Sequence, residues 1–237
     1  MTSTPPAAAT SASAGEPNGP DAPRVSLDHA GINELFALLA YGEVAAFYRL
    51  TEEARMAPNL SGRINMASMA AAEMNHYEVL RDALERRGVD VVPTMTKYAS
   101  ALENYHRLTT PSTWLEALVK TYVGDALAAD FYLEIADVMP DEVADVVRSV
   151  LSETGHSQFV VGEVRAAVTA SDRQRHRLAL WSRRLLGEAI TQAQFVMADH
   201  DELVDLVMAG GGLSQMTEFF DRLQNTHNNR MQELGLA

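Results

Sequence analysis

Cysteine is absent from the 237 residues. That excludes disulfides, thiolate-bound zinc, cysteine-ligated iron–sulfur clusters and a cysteine nucleophile. Any metal must be held by His, Asp and Glu. Positive charge is scarce, with 19 Lys and Arg against 32 Asp and Glu, a net charge of −13. Such a balance argues against a general nucleic-acid coat, whose affinity comes from neutralising phosphates, but leaves room for a local basic patch. No apolar run approaches the roughly 18 residues that span a bilayer. The N-terminus lacks the charged and apolar regions of a secretory signal. The expectation is therefore a cytoplasmic protein with no membrane partner. There is no P-loop, no nucleotide-binding glycine motif and no plausible serine triad.

Proline is thinly spread beyond position 24. Most of it falls before that point, in a stretch made almost wholly of Ala, Pro, Ser, Thr and Gly. Such a segment buries too little apolar surface to offset its ordering entropy, so residues 1–24 read as a disordered tail and 25–237 as a single helical domain. The other prolines, Pro58, Pro93, Pro111 and Pro140, mark joints between helices. Strand patterning is missing as well. Long helices are expected over about 28–56, 60–87, 113–138 and 141–169. Gly88 would stop the second and Asp141 would N-cap the fourth. The connection 89–111 holds a short helix near 97–107, and Thr113 with Glu116 fits a capping box. Helices over 171–209 and 214–234 flank the Gly210-Gly211-Gly212 break. Four long helices with one long connection form an all-α four-helix bundle, core 28–169, with two more helices in 171–237.

What is present is a repeated set of polar residues amid apolar and small ones. Glu73-Met74-Asn75-His76 and Glu153-Thr154-Gly155-His156 are both Glu-x-x-His. At i and i+3 the two side chains share one helix face and can reach one ion. Each pair has a carboxylate upstream, on the preceding helix: Glu43 precedes Glu73, and Asp125 precedes Glu153 by nearly the same interval. Tyr41-Gly42-Glu43-Val44-Ala45-Ala46 echoes Val123-Gly124-Asp125-Ala126-Leu127-Ala128, so the chain looks like two copies of one helix pair. Glu43 and Glu73 are equidistant in sequence from Pro58, and Asp125 and Glu153 are nearly equidistant from Pro140. With equal rise along both arms of a hairpin, the members of each pair meet at one level. Four carboxylates and two neutral imidazoles balance two divalent cations. Without metal, those carboxylates carry a large desolvation and repulsion cost in a bundle core. Oxygen and imidazole ligands suit iron or manganese.

This arrangement resembles the ferritin-like diiron-carboxylate proteins, in which one Glu from each of two helices joins Glu-x-x-His from two others. The resemblance implies that Glu43 and Asp125 are terminal carboxylates, Glu73 and Glu153 bridging carboxylates, and His76 and His156 the imidazole ligands. It implies two iron ions, or iron with manganese in one site. Asp125 departs from the usual Glu, which leaves Asp130 and Glu134 as alternatives on that helix; the Gly-Glu and Gly-Asp echo favours Asp125. Tyr77, Tyr122 and Asp130 lie close enough in sequence to support the ligands, with core packing the plainer role for the tyrosines. The size and the extra C-terminal helices are similar to the hydroxylases of 2-methylthio-N6-isopentenyladenosine in tRNA, of actinobacterial type. The function implied is a diiron monooxygenase hydroxylating an unactivated C–H bond, with electrons from an external reductase. The alternatives are a diiron oxidase or peroxidase on a small substrate, or iron storage or detoxification. The long extension after the core bundle, 171–237, would disturb cage packing, so a monomer or dimer is expected.

One further feature bears on a tRNA partner. Residues 173–184 hold Arg173, Arg175, Arg177, Arg183 and Arg184 and no acid. This stripe either tracks a nucleic-acid backbone or is a solvated face pairing with acids of neighbouring helices. His29, His106, His176, His200 and His227 lack paired spacing and read as surface or capping groups.

Overall fold

The computed structural model describes residues 25–137, 139–151, 157–209 and 213–237, the side chains of 157 and 213–220 excepted. The expected tail, 1–24, lies outside the described residues. Among those described, all regular structure is helical: α1 (Ala30–Glu53, continued by a 3-10 turn, Ala54–Met56), α2 (Leu60–Arg86), α3 (Val91–Thr96), α4 (Ala99–Leu108), α5 (Trp114–Ala136), α6 (Asp141–Val150), α7 (Ser157–Ala170), α8 (Asp172–Asp199), α9 (Asp201–Ala209) and α10 (Leu213–Glu233).

Local chemistry sets these boundaries. Asn59 N-caps α2 by accepting from the Gly62 amide at 2.8 Å, which fixes the hairpin between α1 and α2. Gly88, at φ +72°, closes α2 in the left-handed conformation. There the Gly88 amide donates to the Glu85 carbonyl and the Val89 amide to that of Leu84, the paired bonds of a Schellman motif. Thr113 caps α5, accepting from the Glu116 amide at 3.3 Å. The expected reciprocal bond is shifted by one residue: the Glu116 carboxylate accepts from the Ser112 amide at 2.7 Å and its hydroxyl at 2.6 Å.

Four boundaries differ from expectation. Pro140, with an extended backbone, is the N-cap of α6, and Asp141 is the first helical residue, placing its charge in the first turn. Within the helix expected over 141–169, α6 ends at Val150 with Leu151 outside helical geometry, residues 152–156 lie outside the described residues, and α7 is described from Ser157. The helix expected over 171–209 breaks at His200, which leaves helical geometry and stacks its ring on Tyr98 at 4.5 Å. The connection 89–111 holds α3 as well as α4; Pro93 is tolerated in the first turn of α3, where its missing N–H has no intrahelical partner.

α1 is long and apolar enough by length and composition to cross a membrane. Its apolar face is instead spent on the core, where Ile32, Leu35, Phe36, Leu39 and Leu50 are buried. The core divides into two clusters. One joins the N-terminal half of α1 to the C-terminal half of α2, with α3, α6, α9 and the end of α5. The other gathers Leu50, Met66, Met69 and Ala70 with the N-terminal half of α5 and with α7, α8 and α10. On α1 and α2 the gap between clusters falls at Glu43 and at Glu73 to His76.

α9 is seated against the start of α1 through Gly31. A Cβ there would stand 2.4 Å from the Glu202 carbonyl oxygen and 2.9 Å from Leu206 Cβ. Backbone stands in the way, so Gly31→Ala must separate the two helices despite the better helix propensity of Ala. Overpacking of this kind costs about 1–3 kcal/mol. Thermal unfolding should register it as a fall of about 2–4 °C in Tm per kcal/mol; an unchanged Tm would show that α9 moves freely.

Candidate metal centre

Glu43 projects from the middle of α1, and Glu73 and His76 from the middle of α2. The hairpin brings them together at the level expected from their equal distances to Pro58. One ligand atom from each of the three lies within 4.8 Å of the others. His76 Nδ1 is 3.4 Å from Glu43 Oε2 and 3.6 Å from Glu73 Oε2. Glu43 is buried, and the side chains of Glu73 and His76 are 17% and 20% exposed. The cluster thus opens only narrowly, onto a cavity of about 700 Å³.

The protonation states follow from this crowding. Burial, opposed by His76 and reinforced by Glu73, holds the Glu43 carboxyl well above the usual carboxylate range. Hydrogen bonding to Glu43 and Glu73 pushes His76 up to about 9 against its own desolvation. Without a cation, the cluster therefore keeps a proton at neutral pH. Two carboxylates and an imidazole are the donor set of a divalent, oxygen-preferring metal, and such an ion would take that proton's place. The sign of the linkage is fixed: the bound form needs neutral His76, so each pH unit below about 9 weakens binding by about tenfold per displaced proton. Metal affinity measured from pH 6 to 10 should rise with pH up to about 9 and then flatten. A flat profile would mean that His76 does not bind the ion.

The other sequence-derived residues are distributed as follows. Asp125 lines the same cavity, but it accepts from Arg49 Nη2 at 2.9 Å rather than joining the three-residue cluster. Both alternatives on α5 are held by arginines of α10: Asp130 takes both terminal nitrogens of Arg230, at 2.5 and 2.8 Å, and Glu134 takes Nε and Nη2 of Arg222, both at 2.6 Å. All three α5 carboxylates are thus engaged by arginine, and Asp125 and Asp130 both line the cavity. Glu153 and His156 lie outside the described residues. Tyr122 donates to Glu233, and Tyr77 packs half-buried against the first core cluster.

Several residues of this region carried no motif. Arg49 is buried and donates to Thr121 at 3.0 Å and Glu53 at 3.2 Å besides Asp125. Lys120, 2% exposed, stands 3.8 Å from Glu53 and 5.8 Å from the Tyr105 ring centroid. Burial and the Arg49 charge bring its amine down to about 8. The signal for Lys120 was there to read: it is the lone charge between Ala117 and Val123. His106 is not the surface group expected. It lines the cavity with its Nδ1 buried and unpartnered, and burial with the Arg49 and Lys120 charges lowers it to about 3. His227 is also buried, at 1% exposure, inside α10. His29 does cap α1, accepting from the Gly31 amide at 3.1 Å.

The basic stripe is largely engaged. Arg177 reaches Glu116 at 2.9 Å through Nε and Ser112 at 2.9 Å through Nη2. Arg175 pairs with Asp172. Arg184 donates to the Leu108 carbonyl at 2.5 Å, with its guanidinium over Trp181. Arg173 and Arg183 are exposed.

Facing helices that gather Glu, Glu and His beside a cavity make this an α-helical bundle with a carboxylate–imidazole cluster able to hold a metal ion. Residues 27–210 match the family described as a ferritin-like domain of actinomycetes. The chain belongs to this ferritin-like family. No curated protein matches it.

Proposed function

We propose that the protein is a cytoplasmic non-haem diiron oxygenase that hydroxylates an unactivated C–H bond. The observation that carries this reading is the convergence of Glu43, Glu73 and His76 at the edge of a large interior cavity, in a chain of the ferritin-like family. These three residues would hold one ion. Asp125, Glu153 and His156, the second half of the sequence repeat, would hold the other, with Asp125 leaving Arg49 to do so. Iron supplies O₂ activation and one-electron steps that side chains lack. The reaction balances as R–H + O₂ + 2 e⁻ + 2 H⁺ → R–OH + H₂O. An external reductase supplies the electrons, since the sequence holds neither a flavin motif nor thiolates for an iron–sulfur cluster. The chain's own contribution is burial and positioning. Low exposure keeps bulk water from the cluster, Arg49 and Lys120 offset the charge of Glu53 and Asp125, and His106 remains a neutral group at the cavity wall.

For the substrate we put first the isopentenyl group of a modified tRNA adenosine, which would place the chain near the tRNA hydroxylases it resembles. The engagement of Arg175, Arg177 and Arg184 in internal contacts weakens the support that the basic stripe lends. Arg173 and Arg183 remain available to a phosphate backbone. The other readings are a diiron oxidase or peroxidase on a small substrate, and iron storage. The test has two parts. The full chain, loaded anaerobically with Fe²⁺ and exposed to O₂ and a chemical reductant, should bind two irons and behave as a monomer or dimer; a cage-sized assembly would favour storage. Mass spectrometry of tRNA nucleosides from host cells with and without the gene should show loss of the hydroxylated prenyl-adenosine. An unchanged profile would exclude the tRNA substrate.

A further inference from the structure

A second cavity, of about 160 Å³, borders α5 and is lined by none of Glu43, Glu73 and His76. Leu127, Phe131, Ile190, Val196 and Val207 are among its walls, and among the described residues no charged side chain lines it. Gln192 is its single amide. The two cavities share a boundary: Leu102 and Tyr105 of α4 and Gly124, Ala128 and Tyr132 of α5 line both. The boundary is thin because α5 presents Gly124 and Ala128 one turn apart. It is closed by Tyr105, whose hydroxyl would stand 3.1 Å from a Cβ at position 124. A larger residue there would push Tyr105 away. That hydroxyl is buried and has no hydrogen-bond partner, an arrangement that costs stability rather than adding it. The cavity beside Glu43, Glu73 and His76 thus meets an apolar cavity across a wall of Leu102, Tyr105, Tyr132 and two small residues.

We propose that the smaller cavity is the binding site for the hydrocarbon end of the substrate: an uncharged group of about six carbon atoms on a larger molecule whose polar part occupies the main cavity. The size follows from general experience, since an apolar cavity of about 150 Å³ stays dry and takes up benzene. The division of labour follows from the linings. Charged residues including Glu43, Arg49, Lys120 and Asp125 line the main cavity beside its apolar surface, whereas among the described residues no charged side chain lines the smaller one, so a hydrocarbon is buried there without desolvating a charge. The assignment of the occupant as substrate rests on the oxygenase reading; the site's affinity for hydrocarbon does not.

The test uses the full chain, metal-free and loaded with Co²⁺, with benzene and n-butylbenzene as probes. Benzene should bind saturably at one site in both forms. Ala193→Phe, which fills the cavity from α8, should weaken this binding at least tenfold while metal stoichiometry stays at the wild-type value. Ile190→Ala, which enlarges the cavity, should admit n-butylbenzene. Saturating benzene should shift the visible spectrum of the Co²⁺ form in the wild type and not in Ala193→Phe. Absence of saturable binding up to the solubility of benzene, or binding indifferent to both substitutions, overturns the site. Binding without a spectral shift overturns its role as a substrate site. If the chain takes up no metal at all, the oxygenase reading fails, and the benzene result on the metal-free chain still decides whether the apolar site exists. Should Ala193→Phe not fold, the Ile190→Ala arm decides the question alone.

Discussion

Replacing Glu73 with Ala should weaken Fe²⁺ binding by at least about a hundredfold, since even residues that merely orient metal ligands contribute about 10–100-fold. Glu73 shares its helix face with His76 and lies across from Glu43, so no neighbour can take over its oxygen. The same substitution should bring His76 down from about 9, because one of its two carboxylate partners is gone. An NMR titration of His76 separates this effect from unfolding. Glu153→Ala should match Glu73→Ala if the sequence repeat marks a second ligand pair. Two tightly bound irons per chain in either variant would falsify the ligand assignment.

Arg49→Met should be the most destabilising single change near the site. It leaves Glu53, 6% exposed, with only Lys120 at 3.8 Å, and removes the direct partner of Asp125. Breaking a buried ion pair from one side costs about 3–5 kcal/mol. Asp125 is 43% accessible and can be solvated, so the loss falls mainly on Glu53 and belongs at the low end. At about 2–4 °C per kcal/mol, metal-free Tm should drop by about 6–12 °C. Glu53→Gln in the same chain should recover part of the loss, because the uncompensated charge is then removed. A drop below about 1 kcal/mol would show that water reaches Glu53 and that the network is not dry.

The outline of the bundle was legible because proline and glycine punctuate it: Pro58, Gly88 and Thr113 lie at helix boundaries in the structure. The metal half on α1 and α2 was legible because helical rise is uniform and both arms of that hairpin are regular. The end of α6 at Val150 and the break at His200 were not, since neither position is a proline or glycine. His200 departs from the helix to stack on Tyr98, a contact between residues far apart in the chain. Arg49 and Lys120 were passed over for a related reason. Lys120 stood out as a lone charge, but its pairing with Glu53, and that of Arg49 with Asp125, join different helices and show only in the fold. The same holds for the arginine stripe, whose pairing of Arg177 with Glu116 spans 61 positions.

The split of the apolar core into two clusters at the level of Glu43, Glu73 and His76 has a consequence for how the chain opens. Continuous cores lend a bundle one cooperative transition, whereas a polar stratum across the long helices is a seam along which the two ends can fray separately. A cation at that seam acts as a rivet, tying α1 to α2 where hydrophobic contact is interrupted. At about a hundred times its dissociation constant it adds about 2.7 kcal/mol to the bound state. Amide exchange at the middle of α1 and α2 should therefore slow far more on metal loading than exchange at Leu35 or Leu84, which sit deep in one cluster. The helix α1, long and apolar enough to cross a membrane, would thus also be the one whose midpoint gains continuity from a bound ion.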